Sequence, residues 1–204
     1  ILSRCQIFDF SRIKVKDIAD HLAEIAKKEK VKAEAEALHL IAQKADGALR
    51  DALSVFDQMI TFSGNELTYK LVVENLHILD YDYFFKFVDH ADKEDIPSSL
   101  LLFNEILEQG FDAHHFLGGL SKHYRNLLVC KNEKSAVLLE VPETIQKKYI
   151  EQSKLLPYHT ITRALYALSK ADTSYKASKN KRLLVEVLLM ELCSLKQEQE
   201  KKKP

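Results

Sequence analysis

Apolar residues recur every three to four positions along most of this chain, the spacing of helices that each bury one face. Ile18, Leu22, Ile25 and Ala26 make a first stripe, and Ala37, Leu38, Ile41, Ala42 and Ala45 a second. Leu49, Leu53, Phe56 and Ile60 make a third. Asp46-Gly47 parts the second from the third, the glycine suited to ending one helix and the aspartate to capping the next. Three short helices of this kind can bury their stripes only on one another, so they predict a small bundle over residues 14–65. Ahead of it, residues 1–13 alternate around Ile7, Phe8 and Phe10 and read as an extended segment.

Ser63-Gly64-Asn65 interrupts the pattern and marks a domain boundary. A larger helical domain over residues 66–195 follows. Thr68 can cap a helix carrying Val72, Val73 and Leu76, and Asp80 one carrying Phe84, Phe87 and Val88. Pro97 suits the first turn of a helix through Leu101 and Ile106 that Gly110 closes. Asp112 can cap a long helix through Phe116, Leu120, Leu127 and Leu128, and Pro142 and Pro157 mark two further starts. The last helix, from about Lys181 to Leu195, is apolar on most sides, so it belongs in the centre of a domain or against a partner subunit. Residues 196–204 are charged and read as a tail or the start of a linker.

Composition agrees with an all-α fold: Gly and Pro number only 5 and 4 in 204 residues, too few to break so many helices. Lys plus Arg and Asp plus Glu are equal at 30 each, so the net charge is +0 and bulk charge will not hold nucleic acid. Cys5, Cys130 and Cys193 are widely spaced and odd in number, which points to a reduced, cytoplasmic chain. Neither a membrane-spanning apolar run nor a signal peptide is evident. The first residue is Ile1, not Met, as expected of an internal piece of a longer protein.

Two stretches carry candidate chemistry. One is Ser3-Arg4-Cys5 with Gln6 and the Phe8-x-Phe10 strand; the other is Gly47-Ala48-Leu49-Arg50-Asp51-Ala52-Leu53-Ser54. Together they resemble the clamp-loader branch of the AAA+ ATPases, and in order and spacing the gamma/tau family of bacterial DNA polymerase III. The first is similar to the SRC motif, the second to the sensor 2 motif of the lid. The resemblance implies that Arg4 is a trans-acting arginine finger reaching the gamma-phosphate of a neighbour's ATP. It implies that Arg50 binds the phosphate of ATP held by its own subunit. A guanidinium suits both tasks, because it stays charged and forks onto two oxygens. Residues 1–13 would then end an ATPase domain, residues 14–65 would be a three-helix lid, and residues 66–195 the collar that joins subunits.

The same resemblance implies partners: other gamma/tau copies, the delta and delta-prime subunits, and, through the whole complex, the sliding clamp and primed DNA. The chain has no G-x-x-x-x-G-K-[ST] loop, so ATP is expected as cofactor only with an ATPase domain that lies outside it, and this piece alone is expected to be inactive. Two readings of other classes stand beside this one: a helical oligomerisation module whose arginines are incidental, and the lid of another AAA+ machine, which the long collar disfavours. No metal is expected. His114, His115 and His123 lack a completing carboxylate or cysteine, and Tyr81, Tyr83, Phe84, Phe85 and Phe87 read as core packing before base stacking.

Overall fold

The computed structural model describes residues 11–196. They form ten α-helices, a 3-10 turn and two very short strands. The chain divides into two compact units, one reaching Ile78 and including Glu140–Pro142, the other holding Leu79–Leu139 and the chain from Glu143 onward.

The first unit holds α1 (Val15–Lys28), α2 (Ala35–Lys44), α3 (Leu49–Ser63) and α4 (Tyr69–Asn75). Ile18, Leu22, Leu38, Ile41, Phe56 and Met59 meet in one core. α1 has Asp17 in its first turn and Lys27 and Lys28 in its last, which suits the helix dipole at both ends. The third apolar stripe is rotated from the expected one. Ala52, Phe56 and Met59 form its buried face, and Leu49, Leu53 and Ile60 are only half-buried. Leu53 and Ile60 line an open groove of about 460 Å³ with Ile25, Val31 and the edge of Phe56, rimmed by Glu29 and Asp57.

Two features of this unit are non-local. β1 (Lys32–Ala33) pairs in parallel with β2 (Glu66–Leu67), Lys32 opposite Glu66. The pairing bonds run from Lys32 N to Asn65 O at 2.8 Å and from Glu34 N to Leu67 O at 3.0 Å. The unit also continues past the Ser63–Asn65 interruption, because α4 buries Val72 in the same core and packs Leu71, Val73 and Leu76 against it. Two acceptors start α4: Thr68 Oγ1 takes Leu71 N–H at 3.3 Å, and the Glu34 carboxylate takes Tyr69 N–H at 2.6 Å.

The second unit holds α5 (Tyr81–Asp92), α6 (Ile96–Glu108), α7 (Ala113–Val129), a 3-10 turn (Glu133–Leu138), α8 (Glu143–Leu155), α9 (Tyr158–Tyr175) and α10 (Lys181–Cys193). Asp80, Asp95 and Asp112 cap α5, α6 and α7, and Pro97 lies in the first turn of α6. α7 packs on α9, and α10 lies against α5, α6, α7 and α9. The centre is aromatic. The Phe84 and Phe116 rings stack at 5.8 Å, and Phe103 lies 5.4 Å from Phe116. α10 is covered on most sides, yet Leu183 and Val187 remain about half exposed on its outer face.

Four helices end in the same way. The N–H two residues past the helix cap bridges back across the last turn: Val31 to Ala26 O, Ile78 to Val73 O, Asp95 to His90 O and Phe111 to Ile106 O. The residue before each of these is left-handed. Only in α6 is that residue a glycine, Gly110; elsewhere it is Lys30, His77 or Glu94.

Candidate functional site

The turn between α2 and α3 carries Arg50. α2 is capped by Ala45; Asp46 and Gly47 then take two successive left-handed conformations, with φ of 48° and 85°. Ala48 returns to extended backbone, and Leu49 begins α3. Asp46 does not cap α3, as its place in the sequence suggested. Its carboxylate pairs with Arg12, and both side chains lie at the surface. The α3 cap residue is Ala48, which has no side-chain acceptor to offer the first-turn N–H groups.

Arg50 sits in that first turn and is exposed. Its backbone carbonyl accepts from Ser54 Oγ at 3.0 Å. Among the described residues its guanidinium has neither an ion-pair nor a hydrogen-bond partner. A free guanidinium therefore stands beside an uncapped helix N-terminus, where backbone N–H groups and the helix dipole already favour an anion. Asp51 shares the turn and is exposed as well. Arg4 lies outside the described residues.

The backbone holding this turn was not foreseen. The incoming segment lies directly on it: Ile13 N–H donates to Gly47 O at 3.3 Å. A Cβ on Gly47 would lie 2.6 Å from Arg12 Cβ and 3.2 Å from Arg12 Cα. Only glycine meets both demands, the left-handed φ and the close approach. An Asp-Gly pair was the visible signal; Arg12 as its neighbour, 34 positions away in the chain, was not.

A family model described as the DNA polymerase III clamp loader subunit, ATPase lid domain, matches residues 17–65. A second, described as DNA polymerase III subunits gamma and tau domain III, matches residues 67–204. The chain belongs to the DNA polymerase III gamma and tau family. Within this family it is 28% identical to DNA polymerase III subunit tau of Bacillus subtilis (strain 168), over 95% of this chain and 34% of that protein. It is 35% identical to DNA polymerase III subunit gamma/tau of Mycoplasma genitalium, over 70% of this chain and 24% of that protein. The chain thus spans about a third or less of the length of these relatives. Its fold is that of the Bacillus subtilis DNA clamp loader delta protein (YqeN), with a TM-score of 0.55, 21% identity and coverage of 95% of this chain and 60% of that one.

The other sequence candidates are accounted for by packing. His123 is buried between Phe85 and Tyr149, with Nε2 2.9 Å from Gln152 Oε1. Gln152 donates through Nε2 to Phe85 O and Asp89 Oδ1, so its Oε1 must accept and His123 Nε2 must carry the proton. Nδ1 is then buried without a partner, and burial pushes the imidazole pKa down to about 4. His114 pairs with Asp172 at 2.8 Å, and no group of three metal-binding side chains forms among the described residues. Phe84, Phe85 and Phe87 are buried; Tyr83 accepts from Gln109 and donates to Glu105. Cys130 and Cys193 are free thiols in the core, and burial raises both pKa values. No described helix is long and apolar enough to cross a membrane.

Proposed function

We propose that this chain is the nucleotide-sensing lid and subunit-joining collar of a cytoplasmic clamp-loader ATPase subunit, which uses ATP to place a sliding clamp on primed DNA. Residues 14–65 act as the lid, with α4 packed on it, and residues 66–195 act as the collar. Residues 1–13 end an ATPase domain, and residues 196–204 begin a charged tail. The observation that carries the reading is the Arg50 guanidinium, without a partner among the described residues, at the uncapped start of α3, inside the segment matched by a clamp-loader lid model.

Arg50 binds a phosphate of the ATP held by its own subunit, and the lid tilts when that contact forms. Arg4 neutralises charge on the gamma-phosphate in a neighbouring subunit, a contribution worth on the order of a thousandfold in rate or more. The collar packs against other gamma/tau copies and against delta and delta-prime. The half-exposed Leu183 and Val187 on α10 support such a contact, since apolar side chains on an ordered helix gain from being covered.

The test uses the full-length subunit assembled with delta and delta-prime. Arg50→Ala should leave assembly intact and slow ATP-dependent clamp loading about tenfold or more, the worth of a charge-assisted hydrogen bond. Unchanged loading would remove the sensor role. Arg4→Ala should leave ATP affinity in place and lower hydrolysis; full hydrolysis would remove the finger.

A further inference from the structure

Gly47 does more than turn the chain. Its carbonyl accepts from Ile13, its missing side chain leaves room for Arg12 Cβ, Cγ and Cα, and its neighbour Asp46 holds the Arg12 guanidinium. The ion pair lies in solvent, so the contact depends mainly on the Ile13–Gly47 backbone bond and on the close approach of Arg12 Cβ. Three residues further on stands Arg50. It is fixed to this turn through a helix anchored in the core by Ala52, Phe56 and Met59, which are 0%, 3% and 1% exposed. The segment at residues 12–13 is thus joined to the turn by a backbone bond, a close approach and a surface ion pair.

We infer that Gly47 is a positioning residue for Arg50, and that Arg12 and Ile13 form a strap tying the chain ahead of the lid to the start of the sensor helix. The strap adds residues 12–13 to the piece that carries the sensor helix. A displacement of Arg50 by a bound triphosphate is passed to Arg12 and Ile13. This inference rests on the sensor reading of Arg50 and adds the part that aims it.

Steric rescue tests it in the full-length subunit, by equilibrium binding of ATP and by assembly with delta and delta-prime. Gly47→Ala should weaken ATP binding about tenfold, as Arg50→Ala does, because Arg50 is carried out of place. Arg12→Gly alone keeps the Ile13 N–H to Gly47 O bond and loses a surface ion pair, so it should weaken ATP binding only about twofold, less than Gly47→Ala does. Combined with Gly47→Ala it should recover part of the lost affinity, since it removes the Cβ and Cγ that an alanine at 47 would meet at 2.6 and 3.1 Å while the left-handed φ at residue 47 stays strained. A backbone penalty at residue 47 alone would not respond to residue 12. Failure of the rescue, or normal binding by Gly47→Ala, overturns the strap while leaving the sensor reading intact. Normal binding by Arg50→Ala overturns the sensor reading itself. Should Gly47→Ala not assemble, the double variant carries the test: regained assembly and affinity support the strap, and continued loss overturns it.

Discussion

Two adjacent glycines in α7, Gly118 and Gly119, should respond to alanine with opposite signs. Both lie inside a helix, where alanine in place of glycine gains about 1 kcal/mol from backbone entropy and helix propensity. At Gly118 an added Cβ would meet nothing within 4 Å, so Gly118→Ala should realise most of that gain. At Gly119 the added Cβ would lie 2.2 Å from Phe84 Cζ and 2.7 Å from Cε1. The ring would have to retreat by more than about 1 Å to restore ordinary contact near 3.5 Å. The ring is buried, stacked on Phe116 at 5.8 Å and 6.0 Å from His123, so that retreat must displace core neighbours. Overpacking of this kind costs about 1–3 kcal/mol and here outweighs the helix gain, so Gly119→Ala should be net destabilising by about 1 kcal/mol or more. The assay is thermal and urea unfolding of the 204-residue chain, read on the transition of the second unit; about 1 kcal/mol moves a midpoint by several degrees in a unit of this size. Phe84→Leu should make Gly119→Ala less costly than it is in the parent background. Shifts of the same sign at both glycines, or no relief from Phe84→Leu, would refute the packing argument.

Three further outcomes are expected. Lys30→Gly should stabilise the first unit by about 1 kcal/mol in urea unfolding, because an exposed non-glycine residue holds a φ of 57° at the end of α1. For His123, the folded pKa of about 4 lies below the ordinary 6.5, so the unfolded chain binds the proton more readily. Its share of stability is therefore complete above about pH 6.5 and falls as pH drops from there toward 4, by up to about 3 kcal/mol; unfolding midpoints measured across that range should lose this slope in His123→Phe. Arg50→Ala should change the unfolding free energy of the 204-residue chain by no more than about 0.5 kcal/mol, since the side chain is exposed and makes no ion pair among the described residues; a larger loss would mean that it serves the fold.

The elements legible in the sequence were those whose cause is local. Thr68, Asp80 and Asp112 announce helix starts because a short polar side chain reaches an N–H only two or three residues ahead. Pro97 and Gly110 mark α6 through their own backbone restrictions. Where two residues could answer one demand, the local signal failed. Lys30, His77 and Glu94 end helices in a conformation that glycine would adopt more easily, held there by bonds such as Val31 to Ala26 O. Periodicity showed that α3 is amphipathic but not which of two adjoining stripes faces inward, because Leu53 and Ile60 lie beside Ala52 and Met59 around the helix. Contacts between distant positions left no mark at all, neither the β1–β2 pair nor Glu34 at the start of α4. The candidate site divides along the same line. Arg50 was visible because its motif is contiguous, whereas its freedom from partners and the seat of Arg12 on Gly47 depend on where distant backbone falls. A contiguous motif can therefore name a candidate charge, but the seat of the turn beside it is a packing fact: the absence of one Cβ at residue 47 matters because residue 12 occupies the space.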